Sequence, residues 1–232
     1  MPRKFIALAA VLALATSARA DFTIDDFLSS PQSAAVSGST GETSSTTAAS
    51  VLGGSRTLNV NVTQNDLFQS ASASVVDAGG QGFFVFSAGA LVSASGSIVY
   101  DADGAGLGGE NLAQYGTDFS VEVVWADLGL TLGIQAIDTD GNAHTVSFLD
   151  AADDDGIINF SFADFAAAGV DLASLDSVAI VFDAPTGADF VLNFIGVTDN
   201  TPPAVPEPAS AAMLGLGAFG LLAVARRRAA RA

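Results

Sequence analysis

One segment of this chain sets its architecture, and it reads Phe119-Ser120-Val121-Glu122-Val123-Val124-Trp125-Ala126. A large apolar side chain occupies every second position, from Phe119 to Trp125. Successive side chains of a β-strand point to opposite faces of its sheet, so a period of two predicts a strand with one face on a core. The same phase predicts that Trp125 packs in that core.

This alternation recurs along most of the chain after Val51, and turn-forming pairs such as Gly79-Gly80 and Asp140-Gly141 separate the segments. Many short alternating segments at this spacing predict an all-β protein with an antiparallel β-sandwich fold. One or two helical turns are expected around residues 163–168. The alternating segments are residues 58–62, 119–125, 130–134, 158–162, 178–182 and 190–194.

Residues 29–50 form a low-complexity segment in which twelve of 22 residues are Ser or Thr. This composition offers little to bury and predicts a loop. The preceding residues 21–28 contain Phe22, Ile24 and Phe27, which favour a strand over a disordered stalk. We therefore divide the chain into residues 1–20, residues 21–50 (a strand and a Ser/Thr-rich loop), residues 51–200 (the sandwich domain) and residues 201–232.

The middle of the chain is strongly acidic. Residues 21–204 contain 24 acidic residues and one basic residue, Arg56, which gives a formal charge of −23. This charge repels nucleic acid and anionic membranes, so neither is expected to bind this part of the chain. The sequence contains no cysteine, so stability must come from core burial or from bound ions rather than from disulfides.

The N-terminus has the three parts of a secretory signal peptide. Arg3 and Lys4 are basic, residues 5–15 are almost wholly apolar, and Ala18-Arg19-Ala20 places small residues where a signal peptidase reads them. We expect residues 1–20 to be removed by cleavage after Ala20. The alternative, an uncleaved N-terminal anchor, is disfavoured because the apolar run is too short to span a bilayer comfortably.

The last 28 residues also have three parts in order. Val205-Pro206-Glu207-Pro208 comes first, residues 209–225 carry no charge, and Arg226-Arg227-Arg228 follows. As a helix, residues 209–225 would extend about 25 Å, which is enough for a short membrane span. The arginines would hold its far end on the cytoplasmic side. The sequence thus predicts one C-terminal transmembrane helix.

This tail resembles the PEP-CTERM sorting signal of Gram-negative bacteria. The resemblance implies that an exosortase recognises Val205-Pro206-Glu207-Pro208, with Arg226-Arg227-Arg228 as the stop. It implies export with signal peptidase and exosortase as partners, transit through the inner membrane, and a final place at the cell envelope surface or in the extracellular matrix. It also implies an association with exopolysaccharide and biofilm, and it defines no activity.

The end of the predicted sandwich resembles jelly-roll carbohydrate-binding modules. The elements that carry the resemblance are a strand near residues 157–162, a short helical turn, Asp171-Leu172-Ala173-Ser174-Leu175 and two final strands that end at Ile195. This resemblance implies a jelly-roll-like sandwich and makes an extracellular polysaccharide a candidate partner.

Arg56 is the most individual residue of the acidic middle. It follows Gly53-Gly54 and must lie beside at least one carboxylate, because a guanidinium can hold a carboxylate by two parallel hydrogen bonds. One interpretation is an arginine that binds the carboxylate of a ligand, such as a uronic acid. The other, which we favour, is a structural ion pair that fixes the start of a strand.

Four aspartates in Asp-Gly turns are candidate calcium ligands: Asp101, Asp103, Asp138 and Asp140. Neither turn fits an EF-hand loop, because Ala105 and Leu112 occupy ligand positions after Asp101, and Ala143 and Leu149 occupy the glycine and glutamate positions after Asp138. Asp-Gly pairs also favour hairpin turns for backbone reasons alone. A structural Ca²⁺ ion is therefore the only cofactor that we consider, and its place is left open.

The sequence offers little for catalysis. His144 is the only histidine, and no serine lies in a Gly-x-Ser-x-Gly turn. His144 shares a predicted strand face with Val146 and Phe148, which favours a packed histidine over a catalytic base. A glycosidase would need two convergent carboxylates, and the sequence provides no means of choosing a pair. We therefore expect that the protein is not an enzyme.

Two functional hypotheses remain. The first is an exported, non-catalytic surface or matrix protein, and the second is a carbohydrate-binding module with a specific glycan ligand, bound with or without the help of Ca²⁺. For the second, Tyr100 and Tyr115 flank the Gly-rich segment 101–111. Amphipathic aromatic rings often line small-ligand sites, so this segment is the candidate sugar site. The polar row Thr57, Asn59, Asn61 and Thr63 is a further candidate, although a row of this kind is more often the solvent face of a sheet.

Overall fold

The period-two pattern forms two antiparallel sheets that pack face to face. The computed structural model describes residues 22–37, 41–65, 69–150 and 156–199. Within these ranges the strands are β1 (Phe22–Asp25), β2 (Gln32–Ser37), β3 (Gly41–Thr47), β4 (Ser55–Asn65), β5 (Ser70–Asp77), β6 (Gly82–Ala88), β7 (Val92–Tyr100), β8 (Asp118–Ala126), β9 (Leu130–Asp138), β10 (Ala143–Asp150), β11 (Gly156–Ser161), β12 (Leu175–Ala184) and β13 (Asp189–Thr198).

The strands alternate between the sheets in the manner of a jelly roll. Sheet A has the order β11-β8-β13-β6-β5-β2, with β1 also paired to β13, and sheet B has the order β10-β9-β12-β7-β4-β3. For example, the chain changes sheet from β4 to β5 and again from β6 to β7, so that β5-β6 and β4-β7 are paired in opposite layers. The predicted all-β, antiparallel, jelly-roll-like sandwich is confirmed.

Phenylalanine rings fill the space between the sheets. Phe86 of sheet A lies 5.0 Å from Phe182 of sheet B, and Phe182 lies 5.1 Å from Phe190 of sheet A, in both cases edge to face. Each fully buried ring contributes about 2–3 kcal/mol of hydrophobic free energy, before the entropy cost of ordering it is subtracted. This core supplies the stability that a chain without disulfides needs.

The short predicted helix is also present. Helix α1 (Phe162–Ala167) begins at Ser161, whose side-chain oxygen accepts a hydrogen bond from the backbone N–H of Ala163. Its apolar residues Phe162 and Phe165 are buried, and both rings pack edge to face against Phe119 of sheet A. The helix therefore closes one end of the core beside β8.

A β-bulge overturns the prediction for Trp125. Val191 pairs with Trp125 but Leu192 pairs with Val123, so β8 contains an extra residue, Val124, at this point. A bulge changes the phase of a strand. The residues of β8 before it alternate as predicted, whereas Trp125 turns outward with 45% of its surface exposed, and Ala126 takes the inward position.

The Ser/Thr-rich segment differs from the expected loop, because it contains strands β2 and β3. In β2 the small residues Ala34 and Val36 point inward while Ser33, Ala35 and Ser37 are exposed. Strand β3 lies at the edge of sheet B and pairs with β4 along its whole length. Backbone pairing and a few small inward side chains are thus sufficient here. Strand β1 forms where the sequence predicts it.

The predicted signal peptide and the predicted C-terminal transmembrane helix both lie outside the described residues. Inside those ranges, no helix has the length and hydropathy that a membrane span requires. The described residues all belong to one unit of the fold, which ends at Asp199.

Gly96 of β7 tests the packing between the sheets. A methyl group there would collide with the ring of Phe182 and would lie 2.5 Å from the backbone oxygen of Asn59. We expect Gly96→Ala to lower the free energy of unfolding by about 1–3 kcal/mol, because an overpacked core must shift backbone or ring. Urea unfolding measures this change. Ser95→Ala on the same strand, where the side chain points outward, is the matched control, and an equal effect of both substitutions would contradict the packing argument.

Candidate functional site

A groove with a volume of about 450 Å³ lies on the outer face of sheet B. Cross-strand pairing arranges its side chains in two rows that run across the strands. The first row contains Asn61, Ser95, Asp183 and Thr131, which lie on β4, β7, β12 and β9. The second row contains Thr43, Asn59, Ser97, Val181, Gly133 and Ser147.

Small residues create this groove, which we call the sheet B groove. Gly133 points outward at its floor, where a Cβ atom would lie 2.9 Å from Ser147 Oγ and 3.1 Å from Val181 Cγ2. Serine and threonine occupy most of the neighbouring outward positions, so no bulky side chain fills the space above the sheet. The result is a floor that combines hydroxyl and amide groups with apolar surface.

Hydrogen bonds hold part of this floor in place. Thr43 Oγ1 donates to Asn59 Oδ1 at 2.8 Å, and Asn59 Nδ2 donates to Ser97 Oγ at 3.0 Å. The Asn59 amide is therefore oriented by strands on both sides of β4. Asp183 adds a carboxylate to the lining, which contains no basic side chain. Groups of this kind exchange hydrogen bonds with a neutral, hydroxyl-rich ligand and repel an anionic one.

Arg56 lies inside the sandwich and is fully buried, as is its partner Asp25. Arg56 Nη1 lies 2.7 Å from Asp25 Oδ2, and Arg56 Nε donates to Gln32 Oε1 at 3.0 Å. Its Nη2 donates to the carbonyl oxygens of Ser29 and Ser30 at 3.1 and 2.8 Å. This geometry is that of a structural ion pair, and the fully buried guanidinium is out of reach of a ligand in solvent.

Tyr100 belongs to the same buried cluster. Its hydroxyl group donates to Asp25 Oδ2 at 3.0 Å, and its side chain is fully buried. Burial, together with the negative charge of Asp25, raises the pKa of Tyr100 well above its usual value of 10.0. Burial also raises the pKa of Asp25, an effect that the Arg56 charge and hydrogen bonds from Arg56, Phe27 and Tyr100 oppose.

The two tyrosines that flank this loop in the sequence have different surroundings in the structure. Tyr115 is partly buried and stacks on Phe22, with 4.4 Å between ring centroids and 18° between ring planes. The residues between them form a turn in which Asp101 Oδ1 accepts a hydrogen bond from the N–H of Gly104, and Asp103 Oδ1 accepts one from Ser45 Oγ at 2.6 Å. Of the two tyrosines in the predicted sugar site, Tyr100 is thus buried, and the ring of Tyr115 is stacked on Phe22.

Asp138 is buried and organises the β9–β10 turn. Its carboxylate accepts hydrogen bonds from the backbone N–H groups of Asp140, Asn142 and Asp171 and from Asn142 Nδ2, at 2.8 to 3.1 Å. The bond from Asp171 and the other hydrogen bonds lower the pKa of Asp138. Amide groups thus occupy the oxygens that a Ca²⁺ ion would bind. No cluster of three or more Asp, Glu, His or Cys side chains suited to a metal occurs among the described residues.

The sequence pattern predicts one part of the groove but not the rest. Asn59 and Asn61, from the predicted polar row on β4, line the groove. The other lining residues come from strands far apart in sequence, and their alignment depends on register that no local pattern reveals. His144 lies with its ring 6.0 Å from that of Phe165, edge to face, as expected for a packed histidine.

Comparison with known proteins identifies the tail. Residues 204–228 match the family model of the PEP-CTERM protein-sorting motif. The chain therefore carries this sorting signal and is an exported protein that passes through the membrane to the cell surface. No significant match is found among curated proteins.

Three solved structures are among those to which the chain is similar. The family 11 carbohydrate-binding module of a Clostridium thermocellum cellulosomal cellulase is 14% identical, with 78% of this chain and 96% of that chain covered and a TM-score of 0.44. TmCBM61, solved in complex with β-1,4-galactotriose, is 11% identical over 59% and 86% of the two chains, with a TM-score of 0.36. An exo-β-agarase is 10% identical over 62% and 23%, with a TM-score of 0.40. Identities this low carry no information about activity.

Removing one partner of the buried ion pair tests its role. We expect Arg56→Met to lower the free energy of unfolding by about 3–5 kcal/mol, because Asp25 would remain buried without its counter-charge. Adding Asp25→Asn to this variant removes the unpaired charge and should restore a large part of the loss. Urea unfolding of the two single variants and the double variant gives the coupling energy. Additive effects, with no coupling, would show that the two side chains act independently.

Acid should reveal the contribution of Asp138. A carboxyl whose pKa is lowered by folding stabilises the folded state above its unfolded pKa, here 3.8, and this stabilisation is lost as the pH falls through the folded pKa. We expect Asp138→Asn to unfold more easily than the unsubstituted protein at neutral pH, with a difference that shrinks as the pH falls below 3.8. Thermal unfolding at several pH values measures the difference. Asp140→Asn, at an exposed position of the same turn, is the control, and a difference for Asp138→Asn that does not depend on pH would be evidence against this account.

Proposed function

We propose that this exported protein is non-catalytic and binds a neutral extracellular polysaccharide in the sheet B groove. The observation that supports the proposal is the pair of hydroxyl and amide rows across β3, β4, β7, β9 and β12, which are open to solvent over several strands. A polysaccharide presents repeated hydroxyl groups, and an extended row of fixed donors and acceptors matches such a ligand better than it matches a compact metabolite.

The charge of the chain selects the kind of polysaccharide. With a formal charge of −23 over residues 21–204 and the Asp183 carboxylate in the lining, the groove repels uronic acids and sulfated sugars. Arg56, the one basic residue of residues 21–204, is enclosed in the core and out of reach of a ligand carboxylate. A neutral glycan is therefore the ligand class that fits.

A binding role fits the described residues better than hydrolysis does. The single histidine packs against Phe165, and a hydrolytic site would need two carboxylates placed on either side of a glycosidic bond. Asp183 is the one carboxylate that the described lining presents on this face, because Glu42 pairs with the buried Val60 and so has the opposite phase. The chemistry of the groove is that of reversible hydrogen bonding.

The sorting signal gives this binding a setting. We infer that the exosortase acts near Pro206-Glu207-Pro208, with Arg226-Arg227-Arg228 as the stop, and that the processed protein remains at the envelope surface or enters the extracellular matrix. There, binding of exopolysaccharide would associate the protein with a biofilm. Comparing the mass of the envelope protein from cells with and without exosortase tests the processing step, and an identical mass in both would exclude it.

Binding is tested with the full-length protein, purified in a detergent that has no sugar headgroup. Affinity electrophoresis through gels containing dextran, hydroxyethyl cellulose, mixed-linkage β-glucan or galactan measures retardation by each neutral polysaccharide. We expect retardation by at least one of them and about tenfold weaker binding for Asn59→Ala/Ser97→Ala, which removes the central hydrogen-bonding groups.

A matched control separates the groove from general loss of surface hydroxyls. Ser37→Ala/Ser70→Ala removes two exposed, paired hydroxyls from sheet A and should leave retardation unchanged. Repeating the gels with Ca²⁺ and with a chelator shows whether a metal takes part. Full retardation of the Asn59/Ser97 variant would exclude the groove as the binding site, and no retardation by any of the four polysaccharides would leave the protein as a matrix component without glycan binding.

A further inference from the structure

We propose a second glycan-binding site on the outer face of sheet A, centred on Trp125. The two sites would lie on opposite outer faces of the sandwich, so one molecule would bridge two polysaccharide chains. The choice of a glycan as ligand rests on the proposed function, whereas the place of the site rests on the geometry of sheet A alone.

The β8 bulge creates an exposed aromatic platform. It turns Trp125 outward, with 45% of its surface exposed, beside Val124, which is 39% exposed. Val191 pairs directly with Trp125, and Val85 pairs with Val191, so two more apolar side chains continue the platform across β13 and β6. An indole ring gains free energy when its apolar face is covered, so an exposed indole of this kind is a candidate for contact with a ligand.

The platform continues into hydroxyl groups along the same row. Val85 pairs with Ser74 of β5, and Ser74 pairs with Ser33 of β2. From Trp125 to Ser33 the row crosses four strand spacings, about 19 Å in all. At its far end, Pro31, Ser33, Ser74 and Val76 help to line a depression of about 310 Å³. The row is thus apolar at one end and polar at the other, over a length of several sugar rings.

A polar pair flanks the platform. Asn193, at a second irregularity in the pairing of β13 with β8, donates from Nδ2 to Glu122 Oε2 at 3.0 Å. This bond fixes an amide and a carboxylate two to three residues away from the indole on the same outer face. A sugar ring stacks its C–H face on an aromatic ring and directs its hydroxyl groups sideways, where such groups can exchange hydrogen bonds with them.

Charge argues against other occupants of this face. A second copy of the chain would bring together two bodies that each carry −23, and an anionic lipid surface would be repelled in the same way. A neutral ligand bears no such penalty. A cationic protein is the remaining alternative. If it were the true ligand, Trp125 would not respond to any glycan.

Tryptophan fluorescence reads this site directly, because Trp125 is the only tryptophan in the sequence. The full-length protein in detergent is titrated with the polysaccharide that retards it most, and emission and acrylamide quenching are recorded. We expect a shift of emission to shorter wavelength and reduced quenching as the indole is covered. The groove variant Asn59→Ala/Ser97→Ala should retain both changes, since it leaves sheet A intact.

Substitutions on the platform complete the test. Val191→Glu keeps the reporter but places a charge beside it, because Val191 pairs directly with Trp125, and it should abolish the fluorescence response. Trp125→Ala should weaken binding at this face about tenfold, measured by retardation in the groove-variant background. Phe148→Ala, which removes a ring of similar exposure (47%) from edge strand β10, is the matched control and should change neither reading.

The outcomes separate the two proposals. Trp125 that stays equally accessible to acrylamide at saturating polysaccharide, while the groove still causes retardation, would overturn the second site and leave the proposed function standing. A protected Trp125 together with full retardation of the groove variant would support the second site and overturn the groove. Absence of binding to every polysaccharide would overturn both.

Discussion

The buried ion pair between Arg56 and Asp25 is the interaction on which the closed sandwich depends. Asp25 ends the first strand of sheet A, and Arg56 lies near the start of β4 in sheet B, so the pair joins the two layers. Tyr100 and Gln32 complete its hydrogen bonds. A buried pair gains little over apolar packing, but breaking it is costly, so it specifies how the N-terminal strand must dock. Residues 21–204 contain 24 acidic residues and no Lys or Arg besides Arg56, so no other such residue can replace it in this pair.

The outer faces of the two sheets differ for two separate reasons. On sheet B, small outward residues and Gly133 leave an open, hydrogen-bonding floor. On sheet A, one inserted residue at Val124 places an indole on the surface. The inward faces hardly change between the sheets, since both supply phenylalanine and branched aliphatic side chains to one core. The two sheets thus differ in chemistry on their outer faces, which the core does not constrain.

The fold could be predicted from the sequence where alternation is uninterrupted, as in β4, β9 and β12, because period two and half-burial have the same cause. Prediction ends where the signal is not local. Nothing in the sequence around Trp125 marks the bulge, since the register of β8 is set by β13, some 65 residues later. Strands β2 and β3 were also unpredictable, because pairing with β5 and β4 stabilises segments whose own side chains bury little. Arg56 was identifiable as one half of an ion pair, but its partner Asp25 was not.

The pairing of β1 with β13 has a mechanical consequence. Strand β13 is the last strand before the sorting signal, and it lies inside sheet A, with β8 along one side and first β6 and then β1 along the other. A pull on the C-terminal segment, by a processing enzyme or by flow past the cell, would load these ladders along the strand axis. Many hydrogen bonds would then have to shear together rather than open one at a time.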